Sequence, residues 1–158
     1  AGVPNFMTGA CPDADLELAP PDSKRIRELG PAAAAEACGA LLGLRDEGRL
    51  GSPSAAQAVL DYAAAVAGSC ETLAQAGEAS KHTSLLSDCL NYYPVCAPVQ
   101  LWCLEGLMGF LRCAEKELAE SLAGPVLDLV TDIIATHEAR VAAALDASAA
   151  APAASRAL

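Results

Sequence analysis

The chain has 158 residues, 53% of them hydrophobic but only 4% aromatic, with 20 acidic against 10 basic side chains and a net charge of −10. That length suits one domain able to bury a sizeable core without help from a metal or a disulfide. The negative field repels a phosphate backbone and argues against nucleic acid as a partner, and the abundance of Ala, Leu and Val favours helix over strand.

Residues 1–22 carry Pro4, Pro12, Pro20 and Pro21 with Gly2 and Gly9, a density incompatible with a continuous helix, and they read as a proline-rich extended arm. A helical domain is expected over 23–150, followed by an Ala/Ser-rich tail at 151–158 that frays. Within the domain, Asp22 or Ser23 caps a short helix that Gly30 ends, and Pro31 opens the next, which runs to about Arg45. Gly48, Gly51 and Pro53 make a turn before a helix from about Ala55 to Cys70, and a further short helical turn reaches Ala76 before Gly77 stops it.

From Thr83 the apolar period resumes through Leu90, and Pro94 closes that helix. Pro98 starts a helix to Cys113 whose apolar residues occupy more than one face, so it is expected to be covered on most sides and to form the hydrophobic centre, with Trp102 in the core. A short helix over Glu115 to Leu122 is expected to stop at Gly124. Pro125 then opens another, to about residue 138, and a last helix runs from about Ala139 to Ala150. The longest uncharged apolar reach, Cys89 to Leu104, is broken by Pro94 and Pro98, so no transmembrane segment is expected.

Seven cysteines are present, an odd number that cannot all pair internally, and most lie in apolar helical stretches where a thiol packs as a small hydrophobe. No Cys-x-x-Cys or Cys/His cluster suggests a metal site, and no phosphate-binding glycine loop, nucleophile elbow or His-Glu-x-x-His motif occurs. His82 and His137 fall near expected helix ends, where a histidine favours the local dipole or faces water. Asp128 and Asp132 stand one turn apart, a carboxylate pair in form, but on an amphipathic helix that spacing reads first as a solvated face. No catalytic residue, metal ligand or cofactor is therefore expected, and the protein reads as non-enzymatic.

Displaced against itself by 44 residues, the chain sets Leu85-Leu86-Ser87-Asp88-Cys89-Leu90 on Leu129-Val130-Thr131-Asp132-Ile133-Ile134, a period within the range of about 40 to 47 for helical solenoid units. The boundary Leu29-Gly30-Pro31 recurs as Leu122-Ala123-Gly124-Pro125. With Glu36-Ala37-Cys38-Gly39-Ala40-Leu41 and the run from Pro98 through Ile134, these features resemble an armadillo repeat. The resemblance implies a right-handed all-α solenoid of two to three armadillo-like units, and the alternative is a four- or five-helix antiparallel bundle.

The resemblance also implies that the third helix of each unit lines a concave surface, which would place Asp88, Asn91, Tyr92, Asp128, Asp132 and Thr136 there as an acidic strip suited to a protein partner. The asparagine and tryptophan ladder by which many armadillo proteins grip extended peptides is absent, so the resemblance carries architecture rather than that ligand. A protein–protein interaction or scaffold module follows as the expected function. The alternative is a structural accessory subunit of a large photosynthetic or respiratory membrane complex in an organelle. The first residue is Ala1 and the first methionine Met7, which suggests a processed chloroplast or mitochondrial protein, with the cytoplasm as the other compartment.

Overall fold

The computed structural model describes residues 18–19 and 21–157, and among these every regular element is a helix. The chain forms α1 (Ser23–Glu28), α2 (Pro31–Asp46), a single 3₁₀ turn (Pro53–Ala55), α3 (Ala56–Ala67), α4 (Cys70–Gln75), α5 (Ala79–Tyr92), α6 (Ala97–Cys113) and α7 (Lys116–Ala157). No helix among the described residues is long and apolar enough to cross a membrane. Most of the proline-rich arm lies outside the described residues. Of its last residues, Leu18 packs against the core, and the Ala19 backbone is held by the Gln57 side chain, which accepts from Ala19 N at 2.9 Å and donates to Ala19 O at 3.2 Å.

The punctuation by proline and glycine explains most boundaries. Asp22 Oδ1 accepts from Arg25 N at 2.8 Å and caps α1, while Gly30 precedes α2 with Pro31 at its first position. Gly77, at φ +75°, ends the α4 segment: its own N–H reaches Ala74 O and the Glu78 N–H reaches Leu73 O, both at 3.0 Å. That pairing of a left-handed glycine with two backward bonds satisfies carbonyls the helix end would otherwise leave open. Pro94 follows α5, and Pro98 stands in the first turn of α6.

Two boundaries differ from expectation. The first is α5, which begins at Ala79 rather than Thr83. Its opening turn buries Ala79, His82 and Thr83, mostly polar residues that leave no apolar period to read. The second is the expected sequence of short helices after residue 115: Gly124, Pro125 and the step near residue 138 do not interrupt α7, which continues unbroken from Lys116 to Ala157 and through the tail expected to fray. A proline in a helix interior removes one backbone bond and costs about 3 kcal/mol, but Leu118 and Leu122 before it and Val126, Leu129, Val130 and Ile133 after it pack against the core in one register and hold the helix continuous.

The core is gathered around α6, which packs against α3, α4, α5 and α7, while α2 closes over α3 and α5. Val99, Cys103, Leu107 and Phe110 of α6 are buried against Leu60, Tyr62 and Val66 of α3 and Leu85, Leu86 and Cys89 of α5. Two glycines on α6 permit this closeness. A Cβ at Gly106 would stand 2.9 Å from Leu86 Cδ1, and one at Gly109 would stand 2.5 Å from Cys70 Sγ. Trp102 is half-buried at the edge of the core. Tyr93, fully buried after α5, donates its hydroxyl to Leu50 O at 2.8 Å, with Ser52 O at 3.1 Å, and so fastens the turn before α3 to the end of α5.

Candidate functional site

The six residues expected on a concave strip do not all meet. Asn91 at the end of α5 and Asp132 and Thr136 on α7 line one groove of about 430 Å³, with Leu90, Pro94, Leu129 and Ile133 as its apolar part. Asp88, one turn earlier on α5, instead pairs with Arg45 of α2 at 3.0 Å, and this contact raises the guanidinium pKa. Tyr92 packs its ring against the core. Asp128 is exposed on α7 and outside that groove, and Thr136 donates its hydroxyl to Asp132 O at 2.9 Å within the helix.

The histidines are placed otherwise than at solvated helix ends. His82 is fully buried, its ring stacked between Tyr62 and Phe110 at centroid distances of 5.9 and 6.4 Å. Its Nε2 lies 3.4 Å from Glu78 Oε2 and its Nδ1 2.8 Å from the Tyr62 hydroxyl. A carboxylate only accepts, so Nε2 carries the proton and Tyr62 donates to Nδ1. Burial depresses the His82 pKa, with Glu78 opposing that effect, so a neutral ring is favoured.

Around the same tyrosine lie the thiols of Cys38, Cys89 and Cys103, and burial, reinforced by these neighbours, pushes the Tyr62 hydroxyl pKa up. Cys89 is raised by the adjacent Cys103 thiol and by burial, and Cys38 mainly by burial. Cys70, pushed up to about 11 by burial, donates to Val66 O and Gly106 O. Nucleophilic or metal-binding cysteine works as thiolate, so these groups serve as protonated packing. Among the described cysteines, Cys113 alone is exposed, and among the described residues no group of three or more His, Cys, Asp or Glu side chains is placed to hold a metal.

His137 plays a tethering part. Its Nε2 donates to Gln100 Oε1 at 2.7 Å, and the buried Gln100 amide donates in turn to the Tyr93 and Pro94 carbonyls. One chain of bonds thus ties α7 to the start of α6 and the connection before it. Beyond this tie the helix leaves the body: every side chain from Glu138 to Ala149 is exposed.

The surface that sequence reading missed lies on that helix. Leu127, Ile134, Val141 and Leu145 are 65%, 52%, 59% and 65% exposed, although such side chains normally turn inward. Ile134, Val141 and Leu145 share one shallow apolar face with Ile133, His137 and Ala142. The seven-residue steps from Leu127 to Ile134 to Val141 were the available signal, but periodicity alone marks an apolar face without saying whether the chain itself covers it. Comparison with protein-family models, with curated proteins and with solved structures gives no match for this chain.

Proposed function

We propose that the protein is a non-enzymatic interaction module, an armadillo-like helical stack that holds another protein against the open face of α7. The observation that supports this is the run from Glu138 to Ala149, in which a helix carrying Val141 and Leu145 packs on nothing among the described residues. Helices in water draw most of their stability from packing an amphipathic face, and a continuous exposed apolar strip marks a surface that another molecule covers. The groove holding Asn91, Asp132 and Thr136 lies on the same helix and supplies polar groups to the same contact surface. Stacking of repeat units, as opposed to a bundle around α6, belongs to this reading. It is supported by the placement side by side of α5 and α7, the two helices that the 44-residue recurrence matches. A structural accessory subunit of a larger assembly is the same reading with a permanent partner.

A photo-crosslinker placed at Val141, with a control at the exposed Glu71 of α4, tests it in native extracts. The expected result is one saturable, stoichiometric adduct at position 141 that is absent at position 71. Recovery of a lone monomer without an adduct at 141 would refute the proposal.

A further inference from the structure

Among the described residues six large hydrophobic side chains are left exposed, Leu101 and Met108 on α6 and Leu127, Ile134, Val141 and Leu145 on α7, between 42% and 65% open to solvent. Their positions are related. Leu101 follows buried Gln100 and Met108 follows buried Leu107, while Leu127 follows buried Val126 and Ile134 follows Ile133, which packs against the core. Each exposed residue is therefore one step, about 100° of helix rotation, beyond an inward-facing one. A two-residue connection joins α6 to α7, and the bond from His137 to Gln100 brings the middle of α7 back to the start of α6, so the pair runs antiparallel. In an antiparallel pair the same sense of rotation on both helices leads to the same side of their seam. The apolar residues of α6 and α7 thus border one groove, with half-buried Leu104 and Val130 at its floor. Val141 and Leu145 prolong it past the beginning of α6.

The residues one turn further out set the charge of its edges. Glu105 stands four residues after Leu101 and Glu138 four after Ile134, both exposed. Arg112, four after Met108, and Lys116, whose Nζ lies 3.9 Å from Glu120, are the cations at the other end. Beside Leu101 and Ile134 its border is acidic, in a chain of net charge −10. Two copies, each of net charge −10, repel one another, whereas a helix with lysine or arginine along its flanks is attracted.

We infer that the seam between α6 and α7 is a docking groove for a single amphipathic helix of another protein, with an apolar ridge that enters the groove and basic residues along its flanks. The inference rests on the interaction-module reading and names the partner's chemistry. Binding is of the helix-in-groove kind, in which ridge residues at i, i+3, i+4 and i+7 give affinity and flanking charges give selectivity.

A displayed library of amphipathic helices, with leucine fixed on the ridge and Lys, Gln or Glu allowed at the flanks, is to be selected on the full chain. The expected outcome is enrichment of Lys over Glu. A synthetic peptide from the enriched pool should bind in fluorescence anisotropy, weaken as salt is raised, and lose at least tenfold in affinity with Leu101→Glu or Met108→Glu. Circular dichroism checks that these variants fold, and Leu101→Ala supplies a milder variant with the same expected direction. Failure to enrich Lys over Glu, or binding indifferent to Leu101 and Met108, would overturn the inference. So would sedimentation showing a dimer that Leu101→Glu dissolves, because the occupant would then be a second copy. If the photo-crosslinker at Val141 still finds its partner while the seam variants bind normally, the groove assignment alone falls; if both fail, the broader reading falls with it.

Discussion

The segment around α6 and the outer half of α7 are both helical and both rich in apolar residues, yet one is buried on all but the face of Leu101, Glu105, Met108 and Arg112, while the other is exposed throughout from Glu138 to Ala149. In α6 the glycines at 106 and 109 let neighbouring helices approach to side-chain contact, so apolar residues there are matched by atoms from α3, α4 and α5. From Glu138 to Ala149 the same kinds of residue are exposed, with no described residue packed over them. Helix propensity therefore accounts for the shape of both regions, but packing accounts for the stability of only the first. Apolar content alone does not distinguish a core from a contact surface.

The contrast is open to measurement. The largest effect is expected for Phe110→Ala, since Phe110 is fully buried and stacked on His82: a loss of about 3–5 kcal/mol in denaturant unfolding. A loss under about 1 kcal/mol would mean that α6 is not the centre of the core. Gly109→Ala gains roughly 1 kcal/mol in helix propensity but sets a methyl group against Cys70, and overpacking of that sort costs about 1–3 kcal/mol. A net loss is expected, relieved when Cys70→Ala is added, and a double-mutant cycle measures the coupling.

The buried His82 should make stability depend on pH. Its folded pKa lies below the usual 6.5, so between the two values the unfolded chain binds more protons and stability rises with pH. The contribution is complete above pH 6.5 and is lost as pH falls below it toward the folded pKa. Urea midpoints between pH 7.5 and 5 should show this slope in the wild type, and His82→Gln should flatten it. The smallest effect is expected for Val141→Ala or Leu145→Ala, within about 0.5 kcal/mol of wild type in the same unfolding measurement. A large loss at either position would show that the outer helix is packed in solution and would remove the contrast.

Several elements were legible in the chain because glycine and proline act locally. Gly30-Pro31, Gly77, Pro94 and Pro98 mark real boundaries, and the crowded apolar faces of α6 foretold its central place. Gly124-Pro125 misled for a related reason: the pair has the same local preference, but Leu118, Leu122, Val126, Leu129, Val130 and Ile133 on either side of it all pack against the core in one helical register. His82 was misplaced because a lone histidine in a polar turn carries no sign of the tyrosine and phenylalanine that other helices bring to it. Of the candidate surface, Asn91, Asp132 and Thr136 fall in one groove, whereas Asp88 is taken up by an arginine 43 residues away that no local pattern reveals. The apolar strip of α7 could be seen as a period but not as open, because openness depends on where the rest of the fold stops.

His137 is the outermost point at which α7 is seen to be fastened to the body, through the side chain of Gln100. The helix beyond, from Glu138 to Ala157, spans roughly 30 Å at 1.5 Å per residue. A lever of that length would turn a small change of angle at its root into a wide arc at its tip. Its root is held by the packing of Val126, Leu129, Val130 and Ile133 and by the Gln100 amide, which also holds the Tyr93 and Pro94 carbonyls where α5 hands over to α6.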